Sequence, residues 1–235
     1  MKHMIILAFV FVIAGYTIEV KSQSISDLPT NSFPYNIAGQ SFKAYDDRYE
    51  GVKGNYTFLE EFMPGTVELV KGKFSNVPIN YDAYTDNLLA MNDKINEAVQ
   101  MRKDMVLNFV LTNSAGKEFP FSKQSLNGTP TFLLELVRDT ISLFCRISKT
   151  IKKADFGGAY RIDETRHDEF VTSDIYYVAK GTLKLQELRK SKKYVLQMFP
   201  EFKDQLSVFL KQNKIDFNNH DHMRLVIQYI NTLKE

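Results

Sequence analysis

The sequence predicts an α+β fold, a predominantly antiparallel β domain followed by two to three C-terminal helices. Three observations carry this. From about residue 44 to 187 apolar residues recur with a period of two, broken by turn signals. No helical period of twelve or more residues appears in that stretch. From about Arg189 the period becomes helical. The expected layout is a leader over 1–22, an extended arm over 23–43, the β-rich domain over 44–188 and a helical subdomain over 189–235. The sheet is expected as a meander, sandwich or partly closed barrel.

The first residues, "MKHMIILAFVFVIAGYTIEVKSQS", carry the parts of a secretory signal peptide: basic Lys2 and His3, an apolar run from Ile5 to Ala14, then small or apolar residues at the cleavage offsets. Val20 and Ser22 suit the −3 and −1 positions, so cleavage after Ser22 is expected. The apolar core is about half the roughly 20 residues a membrane-spanning helix needs. No later segment is long and apolar enough to span as a helix. The expectation is export to the periplasm or cell envelope, or beyond the cell.

The arm, "SISDLPTNSFPYNIAGQS", is rich in Ser, Pro, Asn and Gly and has no sustained period. "TVELV" (Thr66–Val70) then alternates, turns at Lys71-Gly72, and resumes as "FSNVPINYDAY". In that strand Phe74, Val77, Ile79 and Tyr81 are the apolar positions, and Pro78 marks an edge position or a bulge. "DNLLAM" ends in a turn over Asn92-Asp93, and "MVLNFVLT" (Met105–Thr112) runs into the turn "NSAGK". Asn127-Gly128 is the strongest hairpin signal, since a type I′ turn takes two residues that tolerate positive φ. "TFLLELV" and "TISLFCRIS" flank Arg138-Asp139, and "SDIYYVAKGTLKLQEL" turns at Lys180-Gly181.

Beyond Arg189, "KKYVLQMF" reads as a helix ending against Pro200, which is expected to open the next one. There Phe202, Leu206, Phe209 and Leu210 form a stripe. The last helix is "NHDHMRLVIQYINTL", capped by Asn218 or Asn219, with Asp221 in its first turn and a buried stripe of Leu225, Val226, Tyr229, Ile230 and Leu233.

Charge excludes one class of partner. The formal net charge is +2; removing Lys2, Lys21 and Glu19 with the leader (+2 − 2 + 1) leaves +1. A nucleic-acid surface needs a clear basic excess. The basic clusters "KTIKK" and "RKSKK" read as solvated connectors. A single cysteine, Cys145, permits no internal disulfide, so the core alone must hold the exported chain.

Residues with chemical potential each have a structural explanation. Cys145 alternates with Ile141, Leu143 and Ile147, which puts it on an apolar strand face. His220 and His222 bracket Asp221, but positions i and i+2 of a helix point apart, and a helix-cap reading fits better than a metal site. His167 lies among Asp163, Glu164, Asp168 and Glu169 in "DETRHDEF", read as a charged surface loop; a hydrolase built on those acids is an alternative. Glu60-Glu61 and Asp46-Asp47 are acid pairs whose spacing in space decides any glycosidase role. Gly157-Gly158 is a lone turn signal. Tyr81 and Tyr84 with Asp82 and Asp86 could meet carbohydrate or cationic peptide, but are also good strand formers. Sequons occur at Asn55 and Asn127. No catalytic motif is present, no cofactor or metal ligand set is expected, and no ligand-binding residue is assigned.

The order of "F(M)PGTVEL-KGK-F-NVPINYDAYTDNLL", "FLLELVRDTISLFCRI", "IYYVAKGTLKLQEL" and the terminal "FLKQNKIDF…HMRLVIQYIN" resembles a group of exported proteins from Gram-negative bacteria with no attached activity. The resemblance implies the cell envelope and a β-then-α layout, and it transfers no site residues. The leading functional expectation is therefore a non-catalytic envelope protein that binds or scaffolds another envelope component. The alternatives are a barrel-like carrier of a small apolar ligand such as a lipid, and the His167 hydrolase.

Overall fold

The structure is a computed structural model that describes residues 38–41, 49, 51–92, 96–154, 167–181 and 183–234. The leader, Asp46, Asp47, Gly157, Gly158, Asp163 and Glu164 lie outside the described residues.

Eleven strands are described: β1 (Ala38–Ser41), β2 (Met63–Leu69), β3 (Gly72–Asp82), β4 (Asn87–Asn92), β5 (Glu97–Met101), β6 (Val106–Thr112), β7 (Glu118–Leu126), β8 (Thr129–Val137), β9 (Ile141–Lys152), β10 (Glu169–Lys180) and β11 (Gln186–Leu188). They form one sheet in the order β1-β5-β4-β3-β2-β6-β7-β8-β9-β10-β11, every neighbouring pair antiparallel. Three helices follow, α1 (Lys192–Met198), α2 (Lys203–Gln212) and α3 (His220–Thr232), with the 3-10 turn Pro200–Phe202 opening α2. The α+β class and the β-then-α order are as the periodicity predicts. The sheet is open; it does not close into a barrel.

Local chemistry explains the turns. Asn127 and Gly128 both adopt positive φ, 51° and 87°, as a type I′ turn requires. Asn113 accepts from the backbone N–H groups of Ala115 and Lys117 through its side-chain oxygen and so holds the "NSAGK" turn. Pro78 satisfies both readings of it. It faces Pro64 across the ladder, at a point where β4 no longer covers β3, and the β2–β3 register shifts between Gly65 and Val67. Gly65 must be glycine here: an added Cβ would sit 2.5 Å from the Val110 carbonyl oxygen.

The topology forces a curl. Met101 ends β5 and Val106 begins β6, yet β4, β3 and β2 separate these strands in the sheet. Four strand spacings of about 4.8 Å would put them at least roughly 19 Å apart if flat. The connector is a tight turn, with Met105 N–H donating to the Arg102 carbonyl, and cannot reach that far. Strands β2 to β6 therefore curl, bringing the end of β5 beside the start of β6. Farther along, Lys149 N–H in β9 donates to the Ala83 carbonyl in the β3–β4 turn, 2.9 Å away, so the roll is fastened across its rim.

Rings fill the roll. Phe109 and Phe121 stack at 4.8 Å and 12°, Tyr81 lies 5.0 Å from Phe121, and Phe132 meets Phe109 edge-on at 5.1 Å. These four are buried. The helices close the other apolar surface, where α3 packs on β8 and β9. Asn231 pins α3 there: its side chain accepts from Ile141 N–H and donates to the Ile141 carbonyl, both at 2.9 Å, in place of a neighbouring strand.

That contact sets the rotation of α3 and corrects one expectation. The buried stripe is Met223, Val226, Ile227, Ile230 and Asn231, while Leu225 is 48% exposed. Two further details differ from the sequence reading. Phe202 belongs to the 3-10 turn, and β1 and β5 are strands the periodicity did not single out.

Candidate functional site

The strand-and-turn stretch that carries Tyr81, Tyr84, Asp82 and Asp86 resolves mostly into supports. Tyr81 is buried, and its hydroxyl donates to Asp86 at 2.9 Å. Burial, with the Asp86 charge beside it, pushes that phenol well above its ordinary value. Asp86 also accepts from Phe132 N–H and pairs with Lys103 at 2.8 Å. Asp82 caps its own turn, accepting from the N–H groups of Tyr84 and Thr85 at 2.9 Å. The acids thus hold backbone and ion pairs.

Tyr84 differs. It is 41% exposed and joins Tyr49, Tyr56 and Phe170 in a surface cluster with ring centroids 5.1 to 6.3 Å apart. Its surroundings are tied by hydrogen bonds. Lys149 donates through Nζ to the carbonyls of Asn55 and Thr57, and half-burial lowers its ammonium below the ordinary value. Asn80 holds the next residues, donating to the carbonyls of Leu59 and Glu61 and accepting from Leu59 N–H. Lys153 lies near Tyr84 and pairs with Asp168 at 2.7 Å.

Glu60 and Glu61 line a cleft of about 470 Å³ with Phe58, Leu59, Met63, Asn113 and Ser114. Both residues are exposed. At "DETRHDEF", Asp168 pairs with Lys153 and accepts from Ala154 N–H, which holds its carboxyl below the usual range. Glu169 pairs with Lys152 at 3.6 Å. His167 is half-buried.

The two C-terminal histidines part company. Asn219 is the N-cap of α3, accepting from the N–H groups of Asp221 and His222. The His222 ring accepts from Asp216 N–H at 3.0 Å through Nδ1. His220 turns instead to the sheet. Its Nε2 lies 3.0 Å from Asp174 Oδ2 on β10 and 3.7 Å from Cys145 Sγ on β9. Tyr176, the register partner of Cys145, meets the His220 ring edge-on at 5.8 Å.

Sequence spacing could not find this cluster. Cys145, Asp174 and His220 are far apart along the chain, and each looks structural alone: a strand cysteine, a strand acid, a helix-start histidine. Only the β9–β10 register and the docking of α3 unite them. Cys145 is fully buried, as its apolar neighbours predict, and that burial together with the Asp174 charge raises its thiol strongly.

No family model, curated protein or solved structure matches this chain. The chemistry of the cluster must therefore be read from its geometry. A Cys-His-acid relay places thiol and acid on opposite ring nitrogens, so that one orients the ring while the other loses its proton. Here both approach Nε2. The arrangement does not activate the buried sulfur as a nucleophile.

Proposed function

We propose that this chain is an exported cell-envelope protein that binds an envelope glycan without transforming it, through the face formed by Tyr49, Tyr56, Tyr84 and Phe170. The observation that carries this reading is the ring cluster itself. Its most exposed member, Tyr84, stands beside the Lys153–Asp168 pair, on a turn fixed by Asp82. Sugar rings offer flat C–H faces to aromatic rings and hydroxyls to charged neighbours. The apolar leader over residues 1–22 supports export.

The two alternatives have weaker footing. A carrier of an apolar ligand needs room within the roll, and that interior is occupied by Tyr81, Phe109, Phe121 and Phe132. A hydrolase at His167 needs a free acid, and among the described residues of that segment Asp168 and Glu169 are each held by a lysine.

The test has two arms. Expressed in a Gram-negative host, the protein should fractionate with the envelope and begin at Gln23 by intact mass. Purified, it should sediment with isolated peptidoglycan sacculi, and Tyr84→Ala should weaken that retention at least several-fold with the fold unchanged. A cytoplasmic chain that keeps its first 22 residues, or a variant that sediments like the parent, would sink the proposal.

A further inference from the structure

Cys145, Asp174 and His220 come from two strands and a helix and present their donor atoms to one another within 4.8 Å. We propose that they bind a zinc-class divalent cation, with thiolate, imidazole and carboxylate as three ligands, a water as the fourth, and the Tyr176 hydroxyl bonded to that water.

Geometry is the first argument. Tetrahedral zinc with ordinary bond lengths of about 2.3 Å to sulfur and about 2.1 Å to nitrogen and oxygen separates N from S by roughly 3.6 Å and N from O by roughly 3.4 Å. The observed separations are 3.7 and 3.0 Å. These two separations lie within a few tenths of an ångström of a coordination shell, and all three donor atoms lie within 4.8 Å of one another.

Unmet hydrogen bonding is the second. One ring nitrogen has one bonding direction, so Nε2 serves either Asp174 or Cys145. An ion pair between His220 and Asp174 would explain the 3.0 Å approach and nothing else. Asp174 Oδ1 and the Tyr176 hydroxyl are both buried without a hydrogen-bond partner, and Tyr176 is 0% exposed. Such orphans are rare and costly. Tyr176 is the register partner of Cys145 and its ring meets His220 edge-on at 5.8 Å, so the phenol belongs to the same cluster. A cation with a bound water serves both orphans.

The donor set chooses the metal. A sulfur and an imidazole select against calcium and magnesium, which take oxygen ligands, and suit zinc or its spectroscopic substitute cobalt. The way in is on the histidine side, where the His220 and Asp174 side chains are 30% and 20% exposed above the covered sulfur.

The experiment uses the purified full-length protein, stripped with chelator and titrated with Co²⁺, then Zn²⁺. One Co²⁺ per chain should bind with a thiolate-to-cobalt charge-transfer band in the near ultraviolet, and zinc should bleach it. Cys145→Ser should abolish the band. His220→Gln, at a partly exposed helix start where folding is easily checked by circular dichroism, should weaken cobalt binding by about 100-fold, and Tyr176→Phe by about 10-fold. Absence of the band in the parent protein overturns the proposal. So does equal cobalt binding by the parent and a folded His220→Gln variant, which would leave the cluster an ion pair packed on a core cysteine.

Discussion

Asn80 shows how much one buried amide can organise. It is 1% exposed, yet its side chain meets three backbone groups of residues 59 and 61 and also accepts from Tyr81 N–H. Replacing it with alanine strands those groups, and each unmet buried partner costs about 1–3 kcal/mol. Asn80→Ala should therefore lower stability by about 2–3 kcal/mol in urea titrations, and loosen the segment that carries Tyr56 before the rest of the fold. Residue-scale roles such as this were the least legible in the sequence. Tyr81 and Cys145 declared themselves by alternation, because a period of two reports burial directly. Asn80 follows the same register as a polar residue, and nothing local says that its partners lie twenty residues away. Asp174 and His220 were hidden for the same reason.

At the scale of elements, the last helix is held by more than its apolar stripe. Asn231 replaces a strand neighbour for Ile141, Arg224 donates to the Leu136 carbonyl at 3.0 Å, and Phe209 stacks on Tyr229 at 4.1 Å, joining α2 to α3. Asn231→Leu preserves the stripe while leaving two strand groups unpaired. It should cost about 1–3 kcal/mol, and hydrogen exchange should place the loss at Ile141 and the last turns of α3. Elements with strong local punctuation were readable: the Asn127-Gly128 hairpin, the Pro200 break and the Asn219 cap each follow from a residue with one conformational preference. β5, five residues long with only Ala98, Val99 and Met101 buried, is too short for its alternation to stand out. Leu225 was misplaced because a stripe one position wide of the true one looks equally apolar in "MRLVIQYI"; the polar anchor at Asn231 decides between them.

For the whole molecule, the buried phenols and thiol make stability fall with alkali. Burial raises Tyr81 and Tyr176 above the ordinary 10.0 and Cys145 above the ordinary 9.0. In each case the folded state keeps a proton that the unfolded chain loses. The contribution is fully present below the ordinary value and is lost as pH rises beyond it, by about 1.4 kcal/mol per pH unit for each group. Lys149 is shifted the opposite way by burial, partly offsetting the loss near its own ordinary 10.5. Thermal unfolding measured from pH 7 to 11 in the presence of chelator should stay level to about pH 9 and then fall steeply. Tyr81→Phe should flatten the upper part of that slope. A curve level to pH 11 would mean that these groups are far wetter than their surroundings indicate.

The tight turn over residues 102–105 has a bearing on how the chain acquires its shape in time. Most neighbouring strands follow one another directly, so their hairpins can zip locally at little entropic cost. β2 against β6 is different: thirty-odd residues must be gathered before the first ladder bond forms. Once Met105 has turned back on Arg102, that search is nearly over. Lengthening this turn with two or three glycines should slow refolding several-fold while hardly touching the unfolding rate, the kinetic mark of a contact already made at the barrier.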